Sequence, residues 1–194
     1  MKSMERNDVF KEIKDVVRHD HTALIVWDVQ NMLVGRIFNK DEFLGNLNSL
    51  IKKARERNIP IFFTKITPLP ERFESGPRLA NRWGQMPTDP TAWDLTIKPE
   101  KDDIVLNKNT ASIFIGTNFE LMVRNAGIRT LIFTGIATEI GVESSARDAS
   151  NRGFYSVIAE DAVSSGDQEA HKRSLANMSR MMLVKKSAEI IASL

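Results

Sequence analysis

The sequence predicts an α/β fold of βαβ units around a mostly parallel sheet, and three observations predict it. Six short apolar runs rich in β-branched and aromatic residues alternate with longer segments of helical periodicity. Of the 194 residues 42% are apolar and 27% charged, enough to bury a core between two helix layers and a sheet in a single domain over residues 1–194. Turn and capping signals fall between the runs rather than inside them.

Taken in order, the runs are "TALIVWDV", "IPIFFT", "DDIVL", "TLIFTG", "FYSVIAE" and "RMMLV". Residues 1–20 precede the first as a charged, helical N-terminal extension. Between the first two runs, Phe43, Leu44, Leu47, Leu50, Ile51 and Ala54 share one face, so "DEFLGNLNSLIKKARERN" reads as an amphipathic crossover helix. Thr117 with Glu120 fits a capping box opening "NFELMVRNAG", with Gly127 as its C-terminal cap, and Ser165 with Gln168 repeats the start signal before "EAHKRSLANMSR". The long irregular piece, about Pro68 to Pro99, holds six of the seven prolines and both Trp83 and Trp93, the composition of a lid or subunit contact.

Composition excludes several classes. Lys plus Arg number 27 against 25 Asp plus Glu, with mixed signs, so no electrostatic footprint for nucleic acid is present. Cysteine is absent, which removes disulfides, thiolate metal sites and any thiol nucleophile. No run approaches a membrane span or a signal peptide, so a cytoplasmic protein is expected.

Ligands of open α/β sheets bind outside the carboxyl ends of the strands. Asp28 ends the first run, as a carboxylate whose charged form needs a cation or hydrogen bonds; the alternative is a turn cap. Lys108 follows the third run, as a surface lysine or as the partner of Asp28. After the fourth run, "GIATEIG" feeds a helix and presents backbone N–H groups, or serves as an ordinary connection using the freedom of Gly135 and Gly141.

Together, "IVWDVQN", "FFT", "KNTASIF", "TGIATEIGVESSARDASNRGF" and "AEDAVSS" resemble the isochorismatase-like hydrolase superfamily, which includes isochorismatases, nicotinamidases and N-carbamoylsarcosine amidases. The resemblance, from about Thr22 to Leu194, implies a Rossmann-like three-layer α/β/α sandwich of about six strands and a homo-oligomer, whether dimer, tetramer or larger. It implies catalytic Asp28 and Lys108, a cis peptide at Ile136–Ala137, and an oxyanion hole from the N–H groups of Ala137 and Gly141. In the amidase branches the position of Gly141 carries the cysteine nucleophile, so their covalent mechanism is excluded here. Ser144, one turn on, lacks a base nearby in sequence.

Isochorismatases resemble this chain in having glycine there, and their vinyl-ether hydrolysis needs no protein nucleophile. On that pattern Asp28 is the general acid, Lys108 orients it, and Gly141 leaves room for a small, carboxylated substrate. Two positions depart from it, Ala137 in place of a tyrosine and Ile66 in place of a glutamine. The alternative is a family member that has lost turnover and serves as a small-ligand binder or assembly subunit.

Substrate-binding candidates are Gln30 of the D-x-Q pattern, Arg72 (with Arg78 and Arg82) as a carboxylate clamp, Phe114 and Trp83. Phe114 and Trp27, in or beside apolar runs, fit core packing better, and Trp83 fits a lid or interface anchor. The three histidines, His19, His21 and His171, lack ligand spacing and read as surface side chains; no metal or cofactor is expected.

Overall fold

In the computed structural model, which describes residues 9–77 and 87–194, all six expected runs form strands of one parallel sheet. They are β1 (Thr22–Trp27), β2 (Ile61–Ile66), β3 (Ile104–Lys108), β4 (Thr130–Ile136), β5 (Tyr155–Ser164) and β6 (Leu183–Lys185), in spatial order β3-β2-β1-β4-β5-β6. Every residue of β1 is buried, as expected of a central strand covered on both faces. Chain direction reverses its march across the sheet between β1 and β4, so a crevice opens at their carboxyl ends.

Two cores flank the sheet. Because successive side chains of a strand point to opposite faces, Leu24 and Val26 of β1 enter one core, and Ala23, Ile25 and Trp27 enter the other. The helices are α1 (Ile13–Val16), α2 (Asn31–Val34), α3 (Lys40–Glu56), α4 (Phe119–Asn125), α5 (Glu143–Asn151), α6 (Gln168–Met178) and α7 (Ser187–Ser193). The expected face of α3 supplies Phe43, Leu47, Leu50, Ile51 and Ala54 to the first core, beside Ile190 of α7. Phe119 and Val123 of α4, Ala146 and Ala149 of α5 and Met178 of α6 enter the second. The result is the three-layer α/β/α sandwich. Within 13–21 the N-terminal extension is only a four-residue helix and a 3-10 turn, with Val16 and Val17 buried in the first core.

Glycine is required at two turns. Gly127, at φ 70, closes α4 with Ile128 N–H donating to Val123 O and Gly127 N–H to Arg124 O, the paired bonds of a Schellman cap. Gly135, at φ 109, lies so close to β1 that a Cβ there would sit 2.0 Å from Trp27 O.

Neither capping box forms. Thr117 Oγ1 accepts from Phe119 N–H, but Glu120 turns to Arg124 and Arg152, whose guanidinium groups offer charge-assisted bonds that a lone backbone N–H cannot match. At α6 the cap is Asp167, accepting from Glu169 and Ala170 N–H, while Ser165 Oγ accepts from Asp167 N–H and donates to Glu139. β5 runs past the expected "FYSVIAE" to Ser164, because a register shift between Phe133 and Gly135 lets pairing resume at Gly135–Val163.

Candidate functional site

Asp28 follows β1 directly, at φ 49 in the left-handed region that Asp tolerates better than bulkier residues. That turn brings its carboxyl to Thr64 of β2. Thr64, one step beyond the Val26–Phe63 pairing, holds it twice: Asp28 N–H donates to Thr64 Oγ1 at 3.0 Å, and the hydroxyl donates onward to Asp28 Oδ1 at 2.6 Å. Lys108 ends β3, two strands away, and its long side chain reaches Asp28 Oδ2 at 2.6 Å while donating to Thr110 O at 3.2 Å. The two residues that the sequence places eighty positions apart therefore meet, at 2% and 4% exposure. Burial pushes the Asp28 carboxyl above the usual range, against the pull of the Lys108 ammonium and the Thr64 hydroxyl.

Across the crevice, β4 leads through a cis Ile136–Ala137 peptide into a π-helical turn, Thr138–Val142, that continues as α5. Gly141 is buried in this turn. A Cβ there would lie 2.0 Å from Trp27 Nε1 and 2.2 Å from Cε2. The space expected to be left for a substrate is thus filled by the indole of Trp27, which is 1% exposed and also carries the Lys108 ammonium 4.0 Å above its ring centroid. At this position the missing side chain makes room for Trp27.

The other candidates separate. Gln30 is wholly buried and its amide is committed to backbone, donating to Trp93 O at 2.7 Å and Ile66 O at 3.3 Å and accepting from Ile66 N–H at 2.9 Å. It ties the irregular segment to the end of β2, and both of its N–H donors are spent on backbone carbonyls. Phe114 packs in the second core, edge-on to Phe119 at 5.2 Å with Arg152 over its ring at 4.7 Å. Arg72 is exposed and lies over Phe73 at 5.9 Å. Arg78, Arg82 and Trp83 lie outside the described residues. Ser144 is half-buried in the first turn of α5.

Two histidines expected on the surface are buried. His21 stacks on Phe10 at 5.0 Å, and its Nε2 lies 3.1 Å from Val16 O. His171, 8% exposed, packs behind the Gly141 turn with Nδ1 at 2.8 Å from Thr138 Oγ1. The same hydroxyl lies 3.1 Å from Ser164 O, so the imidazole is tied through Thr138 to the end of β5. Burial holds the His171 imidazole below its ordinary pKa. A lone histidine on a polar helix carries no local signal of such burial. Thr64 was visible only as the last residue of "FFT", and its place beside Asp28, one step beyond the Val26–Phe63 pairing, follows from parallel register. Among the described residues, no three His, Asp or Glu side chains converge to hold a metal ion.

An acid–ammonium pair buried at the switch point of a β3-β2-β1-β4-β5-β6 parallel sheet defines an α/β protein of the doubly wound class. The isochorismatase domain profile matches residues 22–189, and the chain belongs to the isochorismatase family of hydrolases. It is 32% identical to the isochorismatase family protein YecD of Escherichia coli over 192 residues, covering 89% of this chain and 96% of that one. It is 29% identical to the ureidoacrylate amidohydrolase RutB of Methylobacterium radiotolerans over 187 residues, covering 81% and 72%. The fold is shared with a cysteine hydrolase from Pseudomonas syringae pv. phaseolicola (TM-score 0.80, 19% identity, 92% and 94% covered). It is shared also with the nicotinamidase/pyrazinamidase PncA of Bacillus subtilis (TM-score 0.74, 23% identity, 86% and 100% covered).

Proposed function

We propose that the chain hydrolyses a small, carboxylated molecule without a protein nucleophile, with Asp28 as general acid and Lys108 as the cation that orients it. The observation that carries this reading is the buried pair itself: Asp28 Oδ2 meets Lys108 at 2.6 Å while burial raises the carboxyl, the direction a proton donor requires. In a vinyl ether, the acid protonates the enol carbon, water adds to the oxocarbenium carbon, and the hemiketal collapses with departure of the alcohol. Every atom comes from substrate, water and one cycling proton, so the chain's lack of cysteine is no obstacle. Protonation of the enol develops positive charge, so the N–H groups of Ala137 and Gly141, at the turn that follows β4, would serve the substrate's carboxylate rather than an oxyanion intermediate. A cytoplasmic homo-oligomer acting without metal completes the reading.

One observation favours a second reading, a member that has lost turnover and binds a small ligand or serves as an assembly subunit. The indole of Trp27 occupies the side of the crevice next to Gly141. Turnover of isochorismate and a panel of vinyl ethers, esters and amides, compared with Asp28→Ala, separates the two. Hydrolysis lost by at least about 100-fold in the variant supports the acid role. Binding of a carboxylated compound, with no turnover above the variant, supports the lapsed reading.

A further inference from the structure

We infer that Trp27 determines what chemistry the Asp28–Lys108 site can perform, because its indole fills the space that would join a side chain at position 141 to the ion pair. Three observations meet here. The direction in which any side chain at 141 would grow is given by its Cβ, and that position falls on the pyrrole and benzo edge of the Trp27 ring, at 2.0 to 2.4 Å from Nε1, Cε2 and Cζ2. The face of the same ring lies under Lys108 Nζ at 4.0 Å, and Lys108 is the partner of Asp28. The indole is fully packed, with Ile25 and Val142 in the same core, so it cannot swing aside as an exposed side chain would.

An indole at 27 and a side chain at 141 are therefore mutually exclusive, and the absence of a nucleophile is a property of the pair rather than of residue 141. Remove the indole, and a residue at 141 faces the ammonium and the carboxyl directly. Trp27 also braces Lys108 through its ring face, helping to hold the ammonium at the carboxyl. This inference does not depend on turnover, so it stands or falls separately from the function proposed above.

The test is a cycle of Gly141→Cys, Trp27→Leu and the double variant, read by thermal unfolding and by native-state alkylation. In alkylation the introduced sulfur displaces iodide from iodoacetamide, forming one C–S bond and breaking one C–I bond, with the thiol proton released to buffer. The natural chain has no cysteine, so intact mass counts this site alone. Gly141→Cys by itself is expected to lower Tm by roughly 2–10 °C through overpacking. In the Trp27→Leu background the same substitution should cost less than in the natural chain, and the double variant should take up one alkyl group at least about tenfold faster than Gly141→Cys alone under native conditions. Gly141→Cys with an unchanged Tm and labelling as fast as in the double variant would overturn the inference. So would a Gly141→Cys substitution that costs as much Tm in the Trp27→Leu background as in the natural chain, including a double variant that fails to fold where Trp27→Leu folds. Asp28→Asn in the double background supplies a readout that packing alone does not move. Loss of the neighbouring negative charge should shift the labelling profile to lower pH, and an unmoved profile would separate the introduced thiol from the ion pair and refute the assignment.

Discussion

The two walls of the crevice between β1 and β4 are built on opposite principles. On the Asp28 wall, Thr64, Lys108 and the backbone of Thr110 form one continuous polar chain around a buried carboxyl. Facing it, the Gly141 wall is a packing match, a residue without a side chain against the largest side chain available. A polar chain fails when any member goes missing, since the remaining partners are left buried and unpaired. Packing of this kind fails when atoms are added. Retention of the acid–ammonium pair therefore does not imply retention of the chemistry done on the opposite wall.

The largest effect should come from the polar wall. Lys108→Ala leaves Asp28 buried without its cation, and is expected to cost about 3–5 kcal/mol in urea unfolding at pH 7. The sign with pH follows from the raised carboxyl: a folded-state pKa above the unfolded value penalises the native state as pH climbs through it. Without Lys108 that penalty deepens, so the variant's deficit should shrink toward pH 4. A deficit independent of pH would mean that the pair is not the origin of the loss.

Thr64→Val tests the middle of the chain. It removes the hydroxyl that both accepts from Asp28 N–H and donates to its carboxylate, for an expected loss of about 1.5–3 kcal/mol. If the function proposed above holds, hydrolysis should fall with it. A variant as stable as the natural chain would sink the continuous-network description.

The smallest effect belongs to the support behind the Gly141 wall. His171 is held below its ordinary pKa, so the folded state keeps it neutral and gains stability above the unfolded value near 6.5. That gain is lost as pH falls through 6.5 toward the depressed folded value. His171→Asn, whose side-chain amide can still donate to Thr138 Oγ1, should flatten the dependence of Tm on pH between about 7 and 5 relative to the natural chain. Parallel curves for the two proteins would remove His171 from the account.

Much of this molecule was legible in one dimension. Strand side chains alternate faces with period two and those of α3 repeat with period near 3.6, so Leu24 with Val26, and Phe43 with Leu47, announce their faces without any knowledge of their neighbours. Gly127 announces its cap because only a local backbone conformation is at stake. Asp28, at the end of one apolar run, and Lys108, just after another, were legible as strand-end residues because parallel strands bring their carboxyl ends to one edge, while their pairing was implied by the family resemblance. Gln30 was visible too, but its role was not, since the carbonyls that saturate it come from Ile66 and Trp93.

By itself, then, the sequence determined the sheet, its crossover helix, and the edge at which an acid and an ammonium would gather. Tertiary structure alone decided that His171 is buried, that Asp167 rather than Ser165 caps α6, and that the glycine at 141 serves an indole more than a hundred positions earlier. The physical reason is range. Periodicity and capping depend on residues within one or two turns of chain, whereas occupancy of a given volume depends on whichever distant side chain arrives there first.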